Sequence, residues 1–106
     1  MEIYNYNKLV RDKIPDIMTL AGKQFEIDYL DDNLYRDFLF SKLVEETKEV
    51  IDSDGDIEEI ADLLEVLYAI CELKNTSIDE LESVRRSKRD RRGGFSKKIL
   101  LKWGEV

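Results

Sequence analysis

Between residues 56 and 74 the chain leaves a helix almost no polar side. Ile57, Ile60, Leu63, Leu64, Val66, Leu67, Ile70 and Leu73 recur at helical spacing and cover most of the helical wheel. Such a helix needs cover on several sides, so it is expected to be the central helix of whatever this chain builds. The preceding stretch, about 32–53, carries a narrower apolar stripe that includes Leu34, Tyr35, Phe38, Leu39, Leu43 and Val50. Ser53-Asp54-Gly55-Asp56 interrupts both patterns. A break that short joins helices lying side by side and antiparallel. The expected fold class is therefore all-α, a helical bundle built on one long antiparallel helical hairpin.

Shorter elements flank the hairpin. Residues 1–14 read as an extended arm leading into the first helical turns. Pro15 suits the first turn of a short helix over about 15–21, which Gly22 ends. Residues 24–30, QFEIDYL, alternate Phe25, Ile27 and Tyr29 with polar neighbours, the period of a half-buried strand. Residues 97–103, KKILLKW, are a candidate second strand, and the two are candidates to pair as a small sheet. Asp31-Asp32-Asn33 supplies a helix N-cap. Ser77-Ile78-Asp79-Glu80 is a capping box opening a third long helix, which becomes basic in its last turn and stops at Gly93-Gly94. With no internal repeat or linker, 106 residues are read as a single domain, 1–106.

Composition removes several chemistries. There is no histidine, which excludes Ser-His and Cys-His nucleophile systems and His-ligated zinc. The one cysteine, Cys71, lies in an apolar run, reads as a small buried hydrophobe, and fits a reducing, cytoplasmic setting. The N-terminus lacks an apolar signal core and no apolar run is long enough to span a bilayer, so no membrane association is expected. A net charge of −7 argues against nucleic-acid binding. The charge is uneven, because residues 85–98 hold eight basic residues and one acid. An acidic body with one basic segment is suited to a metal on one part and an anion on the other.

Two acidic clusters flank the turn: Glu45-Glu46-x-x-Glu49 and Glu59-x-x-Asp62. Residues three apart share a helix face, which pairs Glu46 with Glu49 and Glu59 with Asp62. Counted from Asp54, Glu49 and Glu59 both lie five residues away, and Glu46 and Asp62 both lie eight away. At helical rise the inner pair sits about 7 Å and the outer pair about 12 Å from the turn. A hairpin is thus expected to bring four carboxylates level, two from each helix. Asp62 interrupts an apolar run, and Glu46 shares its side with Leu39, Leu43 and Val50. Unpaired carboxylates in that setting repel and are costly to bury; a divalent cation relieves both penalties. Oxygen-only ligands select Mg²⁺, or Mn²⁺, over zinc or copper. The plainer alternative is a solvated acidic face paired with Lys42 and Lys48. A calcium loop starting at Asp52 fails, since its sixth and twelfth positions hold Ile57 and Leu63.

At these residues the chain resembles the MazG-like, all-α nucleoside triphosphate pyrophosphohydrolase superfamily, whose signature is E-E-x-x-E followed by E-x-x-D. Two flanking motifs resemble its phosphoribosyl-ATP pyrophosphohydrolase-like subgroup: Tyr6-Asn7-Lys8-Leu9-Val10-Arg11-Asp12-Lys13-Ile14-Pro15 and Arg92-Gly93-Gly94-Phe95. The nine-residue gap between Glu49 and Glu59 is shorter than in many MazG proteins and implies a compact hairpin. The resemblance implies that Glu46, Glu49, Glu59 and Asp62 hold the metal, with Glu45 orienting a ligand or facing solvent. It also implies cleavage between the α and β phosphates of a nucleoside triphosphate, often a noncanonical one, to give a monophosphate and pyrophosphate.

Glu46 or Glu49 is expected to double as the base that orients the attacking water. Lys8, Arg11, Lys88, Arg91 and Arg92 are the candidates to bind the substrate phosphates, although basic residues also suit the last turn of any helix. Two other readings stay open: phosphoribosyl-ATP pyrophosphatase of histidine biosynthesis, and a non-catalytic helical module that binds a nucleotide or a protein. The apolar breadth of residues 56–74 leads to an expected homodimer or tetramer.

Overall fold

The structure, a computed structural model, describes residues 2–106, among which there are four helices and no strand. The chain falls into two compact units, one running through Asn75 and the other spanning Thr76–Val106. The first holds α1 (Ile14–Leu20), α2 (Asp32–Asp52) and α3 (Ile57–Leu73); the second holds α4 (Ile78–Arg92). The all-helical class is as expected.

The helix ends follow from local chemistry. α1 starts at Ile14-Pro15, where the missing proline N–H costs nothing, and Thr19 Oγ1 donates to the Pro15 carbonyl at 3.0 Å. It closes with the Gly22 amide on the Thr19 carbonyl and the Lys23 amide on the Met18 carbonyl, Gly22 having φ +71°. The Asp31 carboxylate caps α2 by accepting from the Leu34 amide at 2.9 Å.

α2 ends in the same double closure as α1. The Asp54 amide donates to the Ile51 carbonyl and the Gly55 amide to the Val50 carbonyl. Asp54 and Gly55 both take positive φ, +55° and +79°. Aspartate tolerates that region better than a branched residue, and glycine adopts it freely, so the chain reverses within Ser53–Asp56. The Asp56 amide donates to Ser53 Oγ and α3 begins at once.

α2 and α3 are the pair of helices that pack on each other. Leu39 of α2 and Val66 of α3 are the buried hydrophobics of the described residues. Around them the covered positions of α3 include Glu59, Leu63, Val66, Ile70 and Leu73, spaced four, three, four and three. Those of α2 include Tyr35, Leu39, Lys42, Glu46 and Val50. These are the spacings of two helices meeting along one seam. The antiparallel sense shows at the far end, where loss of water, then the charges of Glu72 and Asp12, pushes the Tyr35 hydroxyl above its ordinary pKa.

In the second unit, Ser77 Oγ accepts from the Glu80 amide at 3.1 Å, which forms the serine half of the capping box. Arg89, Arg91 and Arg92 occupy the last turn of α4, and Gly93 ends it at φ +84°.

The two expected strands are not formed. Residues 24–30 and 97–103 run without strand pairing. Tyr29, Ile99, Leu100, Leu101 and Trp103 are all more than three-quarters exposed. An apolar–polar alternation reports an extended backbone, whereas a strand also needs a partner for its amides and carbonyls. Among the described residues no helix is long and apolar enough to cross a membrane.

Leu39 is 1% exposed, so truncating it leaves a cavity in the helix–helix seam. Leu39→Ala is expected to lower unfolding free energy by about 2–5 kcal/mol in urea denaturation. Tyr29→Ser, at a 94% exposed position, is expected to change it by less than about 0.5 kcal/mol.

Candidate metal centre

Toward the turn the α2–α3 seam changes character. The positions that carry Leu39 and Val66 at mid-hairpin carry Glu46 and Glu59 nearer the loop, with Asp62 one turn from Glu59. Glu46 is 8% exposed and is the buried charged residue among those described. Glu59 and Asp62 are half-buried. Each of the three offers a carboxylate oxygen within 4.8 Å of the others. Two oxygens on opposite sides of one Mg²⁺ stand about 4.2 Å apart, so small side-chain adjustments bring this set onto a single ion.

Glu49 is not part of that group and is exposed. The seam explains why. From Glu46 it continues four residues on to half-buried Val50, which turns Glu49, one residue earlier, about 100° away around α2. Its charge still reaches Glu59. Loss of water raises the Glu59 carboxyl above its ordinary pKa, and the charges of Glu49, Asp62, Glu46 and Asp56 raise it further. Among the described residues Glu59 has no ion-pair partner.

Lys8 and Arg11, candidates to bind the substrate phosphates, each lie on a carboxylate. Lys8 Nζ donates to Glu45 Oε1 at 3.0 Å, and an Arg11 guanidinium nitrogen donates to Asp62 Oδ1 at 2.6 Å. Lys42 sits 3.6 Å from Glu45 and 3.4 Å from Glu46. Lys42, in sequence a candidate partner for a solvated acidic face, lies within the seam, where its place four residues before Glu46 brings it onto that carboxylate. Partial burial opposes ionisation of Glu45, yet the Lys8 hydrogen bond and the charge of Lys42 hold its carboxyl below the ordinary value. Lys48, the other expected partner, pairs with exposed Asp52 at 3.0 Å. Lys88, Arg91 and Arg92 are exposed on α4 in the second unit, where Arg91 Nε donates to the Ser87 carbonyl at 3.3 Å.

The charges test the fit of a metal. Glu45, Glu46, Glu49, Asp56, Glu59 and Asp62 bring six negative charges to this end of the hairpin, against three positive ones from Lys8, Arg11 and Lys42. The excess is negative, which a bound cation would offset. The donors are all oxygen, the set preferred by a hard ion. Glu46, Glu59 and Asp62 would be its protein ligands.

The raised Glu59 pKa has a consequence for stability. A carboxyl that holds its proton more firmly in the folded chain makes stability fall as pH rises from 4.5, its unfolded value, through the folded value, and it stays destabilising above that window. Glu59→Gln is therefore expected to raise the urea midpoint of the metal-free protein at pH 7. That advantage should vanish below pH 4.5, where the native carboxyl is protonated in both states. A lower midpoint for the variant at pH 7 would show that crowding at Glu59 is not destabilising.

Comparisons with protein-family models, curated proteins and solved structures return no significant match to this chain.

Proposed function

We propose that this chain is a Mg²⁺-dependent nucleotide pyrophosphohydrolase of the MazG-like kind, cleaving a nucleoside triphosphate between its α and β phosphates. The observation that carries this reading is the convergence of Glu46, Glu59 and Asp62 from two antiparallel helices, with their ligand oxygens within 4.8 Å. These residues belong to the E-E-x-x-E and E-x-x-D motifs on which the sequence resemblance rests. The uncompensated negative charge beside them supports it further.

Bound Mg²⁺ would draw charge from the phosphate oxygens and lower the pKa of a coordinated water. The chain supplies the rest. Glu46, Glu59 and Asp62 hold the ion against the hairpin. Glu49, exposed beside them and outside the ligand group, is suited to accept the proton of the attacking water. The water oxygen bonds to phosphorus, the bridging P–O bond breaks in line, and pyrophosphate leaves. Basic side chains offset the charge that develops on the leaving group; Lys8 and Arg11 belong to the same unit as the carboxylates.

A second copy of the chain is part of this reading. Ile57, Ile60, Leu64 and Leu67 of α3 are exposed and, with half-buried Cys71, follow a strict three–four spacing. This is a second apolar seam beside the one that packs on α2. The residues flanking it, Ala61, Leu63, Tyr68 and Ile70, carry no charge, so two copies of this acidic helix can meet there without opposing their carboxylates. The lone free cysteine suits a reducing, cytoplasmic setting.

Pyrophosphate release should appear across a panel of nucleoside triphosphates and phosphoribosyl-ATP only when Mg²⁺ is present, and the preferred member identifies the substrate. Binding of nucleotide and cation without release would instead mark a non-catalytic module. Asp62→Asn should lower Mg²⁺-dependent turnover at least about 100-fold with unchanged far-UV circular dichroism, a loss on the scale of removing one electrostatic contact to the reacting centre. In sedimentation the native chain should run as a dimer or tetramer at micromolar concentration, and Leu64→Glu should shift it toward monomer.

A further inference from the structure

The N-terminal arm crosses the carboxylate cluster and is tied to both helices of the hairpin. Lys8 binds Glu45 of α2 and Arg11 binds Asp62 of α3, contacts spanning 37 and 51 residues of sequence. The carbonyl of Arg11 also accepts from the Ile14 amide at 3.1 Å, so the arm enters α1 immediately after its second tie. Asp62 is therefore claimed twice. It is one of the three carboxylates that converge, and it is also the acceptor of the Arg11 guanidinium.

We propose that the arm is a latch held by Arg11 and opened by the divalent cation. This rests on the metal reading above. Without the cation, Arg11 is the counter-ion that keeps Asp62 from facing Glu46 and Glu59 unshielded. When a divalent ion takes the Asp62 carboxylate, the guanidinium loses its partner to a stronger positive charge and is repelled by it. The arm then detaches from α3 while Lys8 still ties it to α2. The released guanidinium has the planar fork that suits a phosphate group. Cation binding in this way exposes the residue that receives the anionic substrate, so ion and nucleotide bind in order. Arg11 acts here as a positioning residue and a gate, through its hold on Asp62.

The pair is about half exposed on both sides, so its loss is expected to act on the scale of a surface ion pair. Mn²⁺ titrations of the full chain, followed by the free-ion paramagnetic resonance signal, should show Arg11→Gln binding the ion about two- to fivefold more tightly than the native protein. Lys13→Gln removes an equal charge two residues away from a side chain that makes no ion pair among the described residues, and should leave affinity unchanged. Brief trypsin treatment gives an independent readout. Cleavage after Lys13, which makes no ion pair among the described residues, should speed up when Mn²⁺ is added to the native protein, and should already be fast without it in Arg11→Gln. Equal or weaker Mn²⁺ binding by Arg11→Gln, or the same gain from Lys13→Gln, overturns the latch and leaves the metal reading standing. Failure of all three proteins to bind Mn²⁺ removes the metal reading and the latch with it.

Discussion

The structure depends on one helix–helix seam that is apolar in its middle and acidic toward its loop. Leu39 and Val66 anchor it by leaving water, and Glu46 and Glu59 occupy the same rows about two turns closer to the reversal. The packing that stabilises the hairpin therefore also forces the carboxylates together. The tight reversal at Asp54-Gly55 matters for the same reason, since a longer loop would let the acidic ends splay apart.

Burying Glu46 beside two further carboxylates works against stability, because each anion loses water and repels the next. The chain offsets this with cations from three places: Lys42 one turn back on α2, and Lys8 and Arg11 from an arm remote in sequence. The compensation is incomplete, and Glu59 shows the deficit in its raised pKa and missing partner. Carboxylates perturbed by repulsion and loss of water cluster at functional sites, which is the physical ground for proposing a metal there. The buried core is small, and the exposed second seam of α3 leaves much apolar surface in need of cover.

Much of this was legible from residue spacing. Helix periodicity, the Asp31 and Ser77 caps and the Gly22 and Gly93 stops placed the helix boundaries within a residue or so, because those signals act through hydrogen bonds to atoms nearby in the chain. The count of residues from Asp54 correctly put Glu46, Glu59 and Asp62 at one end of the hairpin. It treated Glu49 as their equal because it measured height along the helix and not rotation around it. The paired strands failed for a related reason: alternation in QFEIDYL is local, but strand pairing needs a partner that no local pattern supplies.

What the sequence by itself determined is the set of helices, the place of the reversal and the acidic character of the residues beside it. All three arise from interactions within a few residues, whose geometry the chain carries wherever it goes. What only the tertiary structure decided is which carboxylates converge and which cations reach them. Val50 rather than Glu49 continues the seam, and Arg11 finds Asp62 across 51 residues. Those outcomes depend on the rotation of one helix against another and on the path of the arm across both, which are set by packing among residues distant in the chain.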